Sequence, residues 1–308
     1  MSTASCFRST ADGWRDSRAM SGTRMGVGID SFSYHRYFGE VTPWETPLGV
    51  RWQTKDFLVR ASQLGVKAVS LQTVYLPELT DRAVALLRDQ LQSYMMQPVL
   101  AWGHPDGLRG GDSPERLEAL RRLLPAARNI GCSIVRLVCG NQFTTQEPAE
   151  VRIRRLTPML KKLAAEAEEL ELTLAIENHA DLAMQDLVAL VSAVGASCVG
   201  ICFDTGNAVR IGDELLAAAA LAAPFVKMVH LKDMIVLGES RSNPASWWPS
   251  VPLGRGQFDI PAFVAVLLTE KFDGTLFVEM ANMHPNWPDE DSAVAESVAY
   301  LSRLLDSL

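Results

Sequence analysis

The sequence lacks three patterns that would each point to a different class of protein. It has five cysteines but no CxxC pair, so a redox or zinc-binding motif of that type is absent. The glycine-rich fingerprint of dinucleotide-binding sheets is missing after the first predicted strand. The apolar runs, such as residues 215–226, are too short to cross a bilayer and include a proline. We therefore expect a protein that does not span a membrane.

Basic residues are in the minority, with 29 lysines and arginines against 36 aspartates and glutamates and a formal net charge of −7. This charge gives no attraction to a nucleic-acid backbone or an anionic membrane, so neither partner is expected. Four cysteines lie in or beside apolar strand-like runs, which indicates reduced, buried thiols and a cytoplasmic location: Cys132, Cys139, Cys198 and Cys202. Residues 1–24 hold no apolar h-region, and we expect a mobile N-terminal extension before a domain at 25–308.

Short β-rich runs alternate with longer amphipathic ones. The runs that predict strands are 25–30, 67–72, 97–102, 133–138, 172–177, 198–204, 225–231 and 275–280. The patterns that predict helices are 53–64, 77–94, 113–130, 150–170, 182–194, 212–222, 260–271 and 289–305. Strands that are apolar on both faces and alternate with helices are typical of a parallel sheet. Eight such units predict an α/β protein with a single (β/α)8 TIM barrel, and a doubly wound open sheet is the alternative.

Polar side chains stand at the ends of the last four predicted strands. Glu177 ends the fifth strand, Asp204 the sixth, and His230 and Glu279 lie near the ends of the seventh and eighth. In a barrel these ends converge on one face. Three carboxylates and one imidazole suit a Mn²⁺-like ion, which would also keep the carboxylates ionised. Taken singly, the carboxylates could instead cap a helix or form ion pairs, and the histidine could belong to the core.

The fragments that contain these residues resemble a known family. In order, LAIENH, GICFDTGN, VHLKD, PLGRGQFD and LFVEM are similar to the xylose-isomerase-like barrel superfamily of sugar isomerases and epimerases, typified by ketose 3-epimerases. The resemblance covers most of the chain from Met25. It implies that Glu177, Asp204, His230 and Glu279 bind Mn²⁺, or else Co²⁺, Mg²⁺ or Zn²⁺.

The resemblance also implies an activity, that of a metal-dependent isomerase or epimerase of a keto sugar or related polyol. Glu177 and Glu279 would act as general base and acid on either side of an enediolate. If a β-substituent left after enolisation, the enzyme would instead be a dehydratase or lyase acting on a 3-keto sugar or 3-keto-glycoside. A sugar-binding barrel without turnover is a third alternative.

The chain departs from the family pattern at two places. Ketose epimerases often have a histidine three residues after the aspartate of the sixth strand, where this chain has Asn207. The AP-endonuclease branch uses that histidine and a second one at the end of the second strand, where this chain has Gln72 and Thr73. A multi-zinc nuclease is therefore not expected.

Further residues are candidates for contact with a small carbohydrate substrate. His104 follows the third predicted strand, His179 lies two residues after Glu177, and Lys232 lies two residues after His230. We expect all three to contact the sugar or to orient the groups that do, and Asn207 to contribute in the same way. Alternatively, His104 is a loop histidine in a turn and Lys232 only pairs with Asp233.

The segment from 234 to 251 has neither a helical nor a strand period. Because long irregular loops in compact domains are often functional, we predict a lid in which Trp247 and Trp248 stack on the sugar. Alternatively these tryptophans anchor the loop on a neighbouring helix or on a second subunit, which leaves a homo-oligomer open. The GRG at 254–256 predicts a turn rather than a phosphate cradle.

Overall fold

Eight parallel strands close into a barrel in the computed structural model, which describes residues 25–42, 45–142, 147–235 and 249–308. The strands of the chain are β1 (Gly26–Asp30), β2 (Ala68–Gln72), β3 (Gln97–Trp102), β4 (Ile134–Val138), β5 (Thr173–Glu177), β6 (Val199–Asp204), β7 (Val226–Leu231), β8 (Asp233–Met234), β9 (Ser250–Val251) and β10 (Thr275–Val278). The barrel order is β1, β10, β7, β6, β5, β4, β3, β2, and β8 pairs with β9 antiparallel. The predicted TIM barrel is therefore confirmed, and the open sheet is excluded.

Helices connect successive strands. They are α1 (His35–Phe38), α2 (Thr54–Gln63), α3 (Asp81–Ser93), α4 (Pro114–Ile130), α5 (Ala149–Glu169), α6 (Met184–Val194), α7 (Thr205–Ile211), α8 (Leu215–Ala222), α9 (Ile260–Thr269) and α10 (Glu290–Asp306). The sequence patterns predicted all of these except α1 and α7. The side chain of Asp204 caps α7 by accepting a hydrogen bond from the Asn207 amide at 2.8 Å, and Gly212 ends it in a left-handed conformation.

Two expectations drawn from composition can be compared with the described residues, and the one that all four strand cysteines are buried is wrong for Cys198. None of their helices is both long and apolar enough to cross a membrane. The cysteines among them are free thiols, of which Cys132, Cys139 and Cys202 are buried and Cys198 is partly exposed.

Alternation along the strands separates two apolar regions. Side chains that point outward from the barrel pack against the helices and form the main core, in which Ile176 and Phe203 are fully buried. Side chains that point inward form a smaller layer that fills the barrel: Ala68, Val99, Ala175, Cys202, Met228 and Phe277. Gly28 makes this filling possible, because a Cβ there would lie 2.6 Å from the Phe277 ring. The barrel is a packed core at this level.

The carboxylate of Asp233, two residues after β7, binds the segment that leads into α9. Asp233 accepts hydrogen bonds from the backbone amides of Met234, Gly254, Gly256 and Phe258, at 2.8–3.2 Å. A Cβ on Gly256 would lie 2.0 Å from Asp233 Oδ1, so only glycine allows this approach. The GRG segment is a turn, as predicted.

We predict that Asp233→Ala lowers the free energy of unfolding by about 1–3 kcal/mol, because four backbone amides, one of them buried, lose their acceptor. Chemical denaturation followed by circular dichroism measures the change. Asp306→Ala, at an exposed position in the last turn of α10, is the control. Equal stability of the two variants would contradict the role given to Asp233.

Candidate metal centre

The four predicted ligands meet at the carboxyl ends of four adjacent strands. Glu177, Asp204 and His230 lie on β5, β6 and β7, and Glu279 directly follows β10. One ligand atom from each lies within 4.8 Å of the other three. All four side chains are at most 5% exposed. Each ligand stands two residues beyond a member of the inner apolar layer, so alternation along the strands aims all four at the same space.

Two cations from the barrel wall balance part of this negative charge. Lys232 Nζ contacts Asp204 Oδ2 and lies 3.3 Å from Glu279 Oε2. Arg136, which β4 directs into the barrel, places Nε 3.0 Å from Glu177 Oε2. Both cations are buried with the carboxylates they face. Burying a charge is costly unless it is paired, so these contacts are needed for the cluster to exist at all.

Several buried polar atoms of the cluster nevertheless make no hydrogen bond. They are both ring nitrogens of His230, Glu177 Oε2 and Glu279 Oε2. His230 Nδ1 lies only 2.7 Å from Glu279 Oε2, but the two groups are not oriented as donor and acceptor. Unpaired carboxylate oxygens and an imidazole nitrogen that face one point are a donor set suited to a divalent cation. These residues therefore fit the ion that the sequence predicts, and their role as its ligands stays a prediction.

The carboxylates differ in how firmly they hold a proton. Burial raises the pKa of Glu177, but Arg136 and His230 outweigh it and the pKa lies well below its usual range. Burial is likewise outweighed at Glu279, where His230 and Lys232 lower the pKa. At Asp204 burial, supported by the two glutamates, prevails over Lys232 and raises the pKa to about 7. The Lys232 pKa is raised too, because three carboxylates outweigh its burial.

A fifth residue, Asp30 at the end of β1, lies beside the His230 imidazole on the side of its Nε2. Its Oδ2 lies 3.3 Å from His230 Nε2. Asp30 is itself fixed, because Ser70 and Gln72 donate hydrogen bonds to it and the Phe32 amide does so at 2.7 Å. A carboxylate behind one ring nitrogen orients the imidazole and leaves the other nitrogen, Nδ1, facing Glu177 and Glu279.

Sequence reasoning missed Asp30 and Arg136, although a signal for each was present. Asp30 is a carboxylate at the end of a predicted strand, like Glu177 and Asp204. Arg136 interrupts an apolar strand at a position two residues after Ile134, which packs against the inner layer. Strand alternation applied to all eight strands would have placed both side chains inside the barrel.

The predicted substrate-contact residues line one cavity of about 220 Å³ at the mouth of the barrel, together with Glu177 and Glu279: His104, His179, Asn207 and Lys232. Asn207 donates a hydrogen bond to Glu177 Oε1 at 3.2 Å. His104 Nε2 lies 2.7 Å from Glu40 Oε1, and His179 Nδ1 lies 3.2 Å from the Gly140 carbonyl oxygen. Trp247 and Trp248 fall outside the described residues, so the lid stays a prediction.

A second cluster of ligand-type side chains comprises His35, Glu45 and Glu290, and its imidazole is fully engaged. His35 Nδ1 lies 2.9 Å from the Phe32 carbonyl oxygen, and Nε2 lies 2.8 Å from Glu45 Oε1. Glu290, its third member, pairs with Arg36 at 2.7 Å. Because both nitrogens of His35 face acceptors, the ring serves as a donor on each side and has no lone pair left for an ion.

Comparison with known proteins places the fold in a family. A family model described as xylose isomerase-like TIM barrel matches residues 58–304. Among curated proteins, 3-oxo-isoapionate decarboxylase of Pectobacterium atrosepticum is 28% identical over 116 residues, which are 37% of this chain and 40% of that protein. The matches to curated relatives span 21% and 40% of those proteins' own lengths.

Solved structures share the fold along most of the chain. The IOLI protein with a zinc atom superposes with a TM-score of 0.71 at 16% identity, over 92% of this chain and 99% of that one. D-psicose 3-epimerase with D-tagatose from Clostridium cellulolyticum H10 gives a TM-score of 0.69 at 16% identity, over 91% and 98%. At these identities the likeness establishes the barrel, and the site must be judged by its own geometry.

We predict that Mn²⁺ binds more tightly as the pH rises. Asp204 has a pKa of about 7 in the ion-free protein, so at lower pH an incoming ion must displace its proton. The dissociation constant should fall by up to about tenfold per pH unit between roughly pH 5.5 and pH 7 as Asp204 loses its proton. It should continue to fall above pH 7, because burial is outweighed by the charges of Cys202, Glu279 and Glu177, which hold the pKa of His230 well above its usual value, so this ligand must lose a proton as well. Equilibrium dialysis followed by metal analysis measures it, and a pH-independent constant would contradict the assignment of Asp204 as a ligand.

We also predict that Asp30→Asn weakens Mn²⁺ binding by about 10- to 100-fold, because the amide holds His230 less firmly in the orientation that presents Nδ1. Ser70→Ala is the matched control, since it removes one hydrogen bond to Asp30 but keeps the carboxylate, and its effect should be smaller. Dialysis gives the affinities, and circular dichroism verifies that both variants are folded. If Asp30→Asn binds Mn²⁺ like the wild type, the carboxylate does not position His230.

Proposed function

The chain belongs to the xylose isomerase-like TIM barrel family, and from this membership and the site geometry we propose that it is a metal-dependent isomerase or epimerase. Its substrate would be a small keto sugar or a related polyol. The observation that carries the proposal is the placement of Glu177 and Glu279, two buried carboxylates that line the same cavity from opposite ends of the ligand set.

The barrel order separates the two glutamates. β6 and β7, which carry Asp204 and His230, lie between β5 and β10, which position Glu177 and Glu279. A sugar above the site would therefore meet one carboxylate on each side. Transfer of a proton between two faces of a carbon, or between two neighbouring carbons, requires groups placed in this way.

The charges around the two glutamates keep both of them ionised. Arg136 does so for Glu177, and His230 and Lys232 do so for Glu279, so either carboxylate can accept a proton from the carbon beside the carbonyl. Glu279, in contact with His230 and Lys232, can return a proton once it carries one. A divalent ion held by Glu177, Asp204, His230 and Glu279 would supply the positive charge that stabilises the enediolate oxygens. Lys232 stands beside the same space and adds a second positive charge.

The cavity limits the size of the substrate. A volume of about 220 Å³ lies below the range of roughly 300–1,000 Å³ that drug-sized ligands occupy. A single sugar unit matches this space better than an oligosaccharide does. The walls also offer several hydrogen-bonding side chains, among them His104, His179 and Asn207, as a polyhydroxylated ligand requires.

A lyase is the second candidate, and the similarity to 3-oxo-isoapionate decarboxylase favours it. Loss of carbon dioxide from a 3-oxo acid leaves an enolate, and so does removal of a proton beside a ketone. The same ion and cations would stabilise both enolates, and Glu279 would then protonate the carbon that lost the carboxylate. Elimination of a β-substituent from a 3-keto sugar begins from the same enolate.

A panel of keto sugars, 3-keto sugars and 3-oxo sugar acids, incubated with protein and Mn²⁺ in deuterated water, separates these reactions. An isomerase or epimerase yields a product that carries carbon-bound deuterium and has lost no other group from the substrate. A decarboxylase releases carbon dioxide, and an eliminating lyase forms a double bond. A binding protein without turnover produces none of these changes, and that result would overturn the proposal.

We predict that Glu279→Gln lowers turnover by about 10²-fold or more while the protein still binds Mn²⁺, because the amide keeps the shape but cannot transfer the proton. Glu270→Gln, at an exposed position after α9, is the control and should keep wild-type turnover. Near wild-type turnover in Glu279→Gln with the ion bound would remove Glu279 from the catalytic role.

A further inference from the structure

Arg210 is a cation of the cavity wall that forms no salt bridge with any residue the structure describes. Its side chain lines the cavity that contains Glu177 and Glu279. Its Nε is shielded from solvent and makes no hydrogen bond. Among the described residues, Arg210 also forms no salt bridge, whereas the other two cations of the cavity, Arg136 and Lys232, each contact a site carboxylate. A guanidinium carries five N–H donors in a planar fork, so leaving it unpaired in a partly buried position is costly.

The nearby carboxylates are already taken. Within the described parts of the chain, Asp204 is the group whose charge favours the protonated Arg210, and Lys232 contacts that carboxylate directly. Four buried carboxylates stand at the mouth of the barrel, and Arg136, Lys232 and one divalent ion would balance them: Asp30, Glu177, Asp204 and Glu279. The positive charge of Arg210 is then left without a counter-charge inside the site.

The short helix α7 explains how this cation reaches the cavity. The helix begins immediately after Asp204, so its first turns lie beside the ligand set. Asn207 and Arg210 are three residues apart, which places them on the same face of the helix, and both line the cavity. One helix face therefore presents an amide and a guanidinium side by side to whatever occupies the cavity.

We propose that the substrate carries an anionic group, a carboxylate or a phosphate ester, which Arg210 binds. This inference rests on the proposed function, because it takes the cavity as the place where the sugar is held. Arginine binds carboxylate and phosphate oxygens through two parallel hydrogen bonds, and such charge-assisted bonds are short and strong. The Arg210 fork would hold the acidic end of the sugar while its keto end faces Glu177 and Glu279.

The test compares pairs of ligands in which one member carries an anionic group and the other does not. D-gluconate is paired with D-glucitol, and D-fructose 6-phosphate with D-fructose, and calorimetry measures binding of each to the Mn²⁺-loaded protein. We expect at least one charged ligand to bind about 10- to 100-fold more tightly than its neutral counterpart. A preference within the first pair identifies a carboxylate, and a preference within the second pair identifies a phosphate.

The variant Arg210→Gln should abolish this preference and leave the affinity for Mn²⁺ unchanged. Arg303→Gln, at an exposed position near the end of α10, should keep it. Equal binding of charged and neutral ligands by the wild type, no binding of any of the four, or a preference that survives in Arg210→Gln would each overturn the inference.

Failure of this inference is distinguishable from failure of the proposed function. If neutral keto sugars incorporate deuterium at rates that Arg210→Gln does not change, the isomerase proposal stands and the anionic substrate is wrong. If charged ligands bind through Arg210 while no member of the panel is turned over, the anion site stands and the proposed chemistry is wrong.

Discussion

The burial of four carboxylates at one end of the barrel is the constraint to which the rest of the site responds. Asp30, Glu177, Asp204 and Glu279 are each no more than 4% exposed. Ionised carboxylates in such positions repel one another and lose their hydration. The chain offsets this cost with Arg136 on β4, with Lys232 after β7, and with the imidazole of His230 between them. At Asp204 these contacts are insufficient, and the pKa of the carboxyl rises to about 7. A proton then competes with a divalent ion for this carboxylate.

The barrel meets this constraint through the two-residue period of its strands. The same alternation that sends Ala175, Cys202, Met228 and Phe277 into the inner apolar layer sends the next inward residue of each strand into the polar one. A packed apolar floor below the site excludes water from that side and fixes the strand ends. The hydrogen bonds from four backbone amides to Asp233 add rigidity directly after Lys232. Rigid support of this kind keeps several like charges close together without rearrangement.

Much of this could be predicted from the sequence, because both the strands and the ligands leave local patterns. Apolar runs between amphipathic segments gave all eight barrel strands, and a polar residue at the end of such a run, as at Glu177 or Asp204, stands out by itself. Arg136 was missed because an arginine within a strand is commonly an exposed residue, although its position two residues after Ile134 indicates an inward-facing side chain once alternation is followed. The helix α7 was missed for a related reason. It is short, begins with residues that favour caps and turns, and depends on Asp204 for its start.

Asn207, which stands where ketose epimerases often have a histidine, lies on this same helix. An imidazole at that position could carry a proton, whereas an amide cannot and here donates a hydrogen bond to Glu177. One turn further along, Arg210 brings a permanent positive charge to the cavity, which an imidazole near neutral pH does not guarantee. Together, Asn207 and Arg210 give the cavity a hydrogen-bond donor and a fixed positive charge in place of a side chain that can carry a proton. Proton removal and decarboxylation pass through similar enolates, so the ion and its ligands do not distinguish them. The wall built from α7 acts on a different property of the substrate, because an acidic group away from the ketone can be held by Arg210 while the ketone faces Glu177 and Glu279.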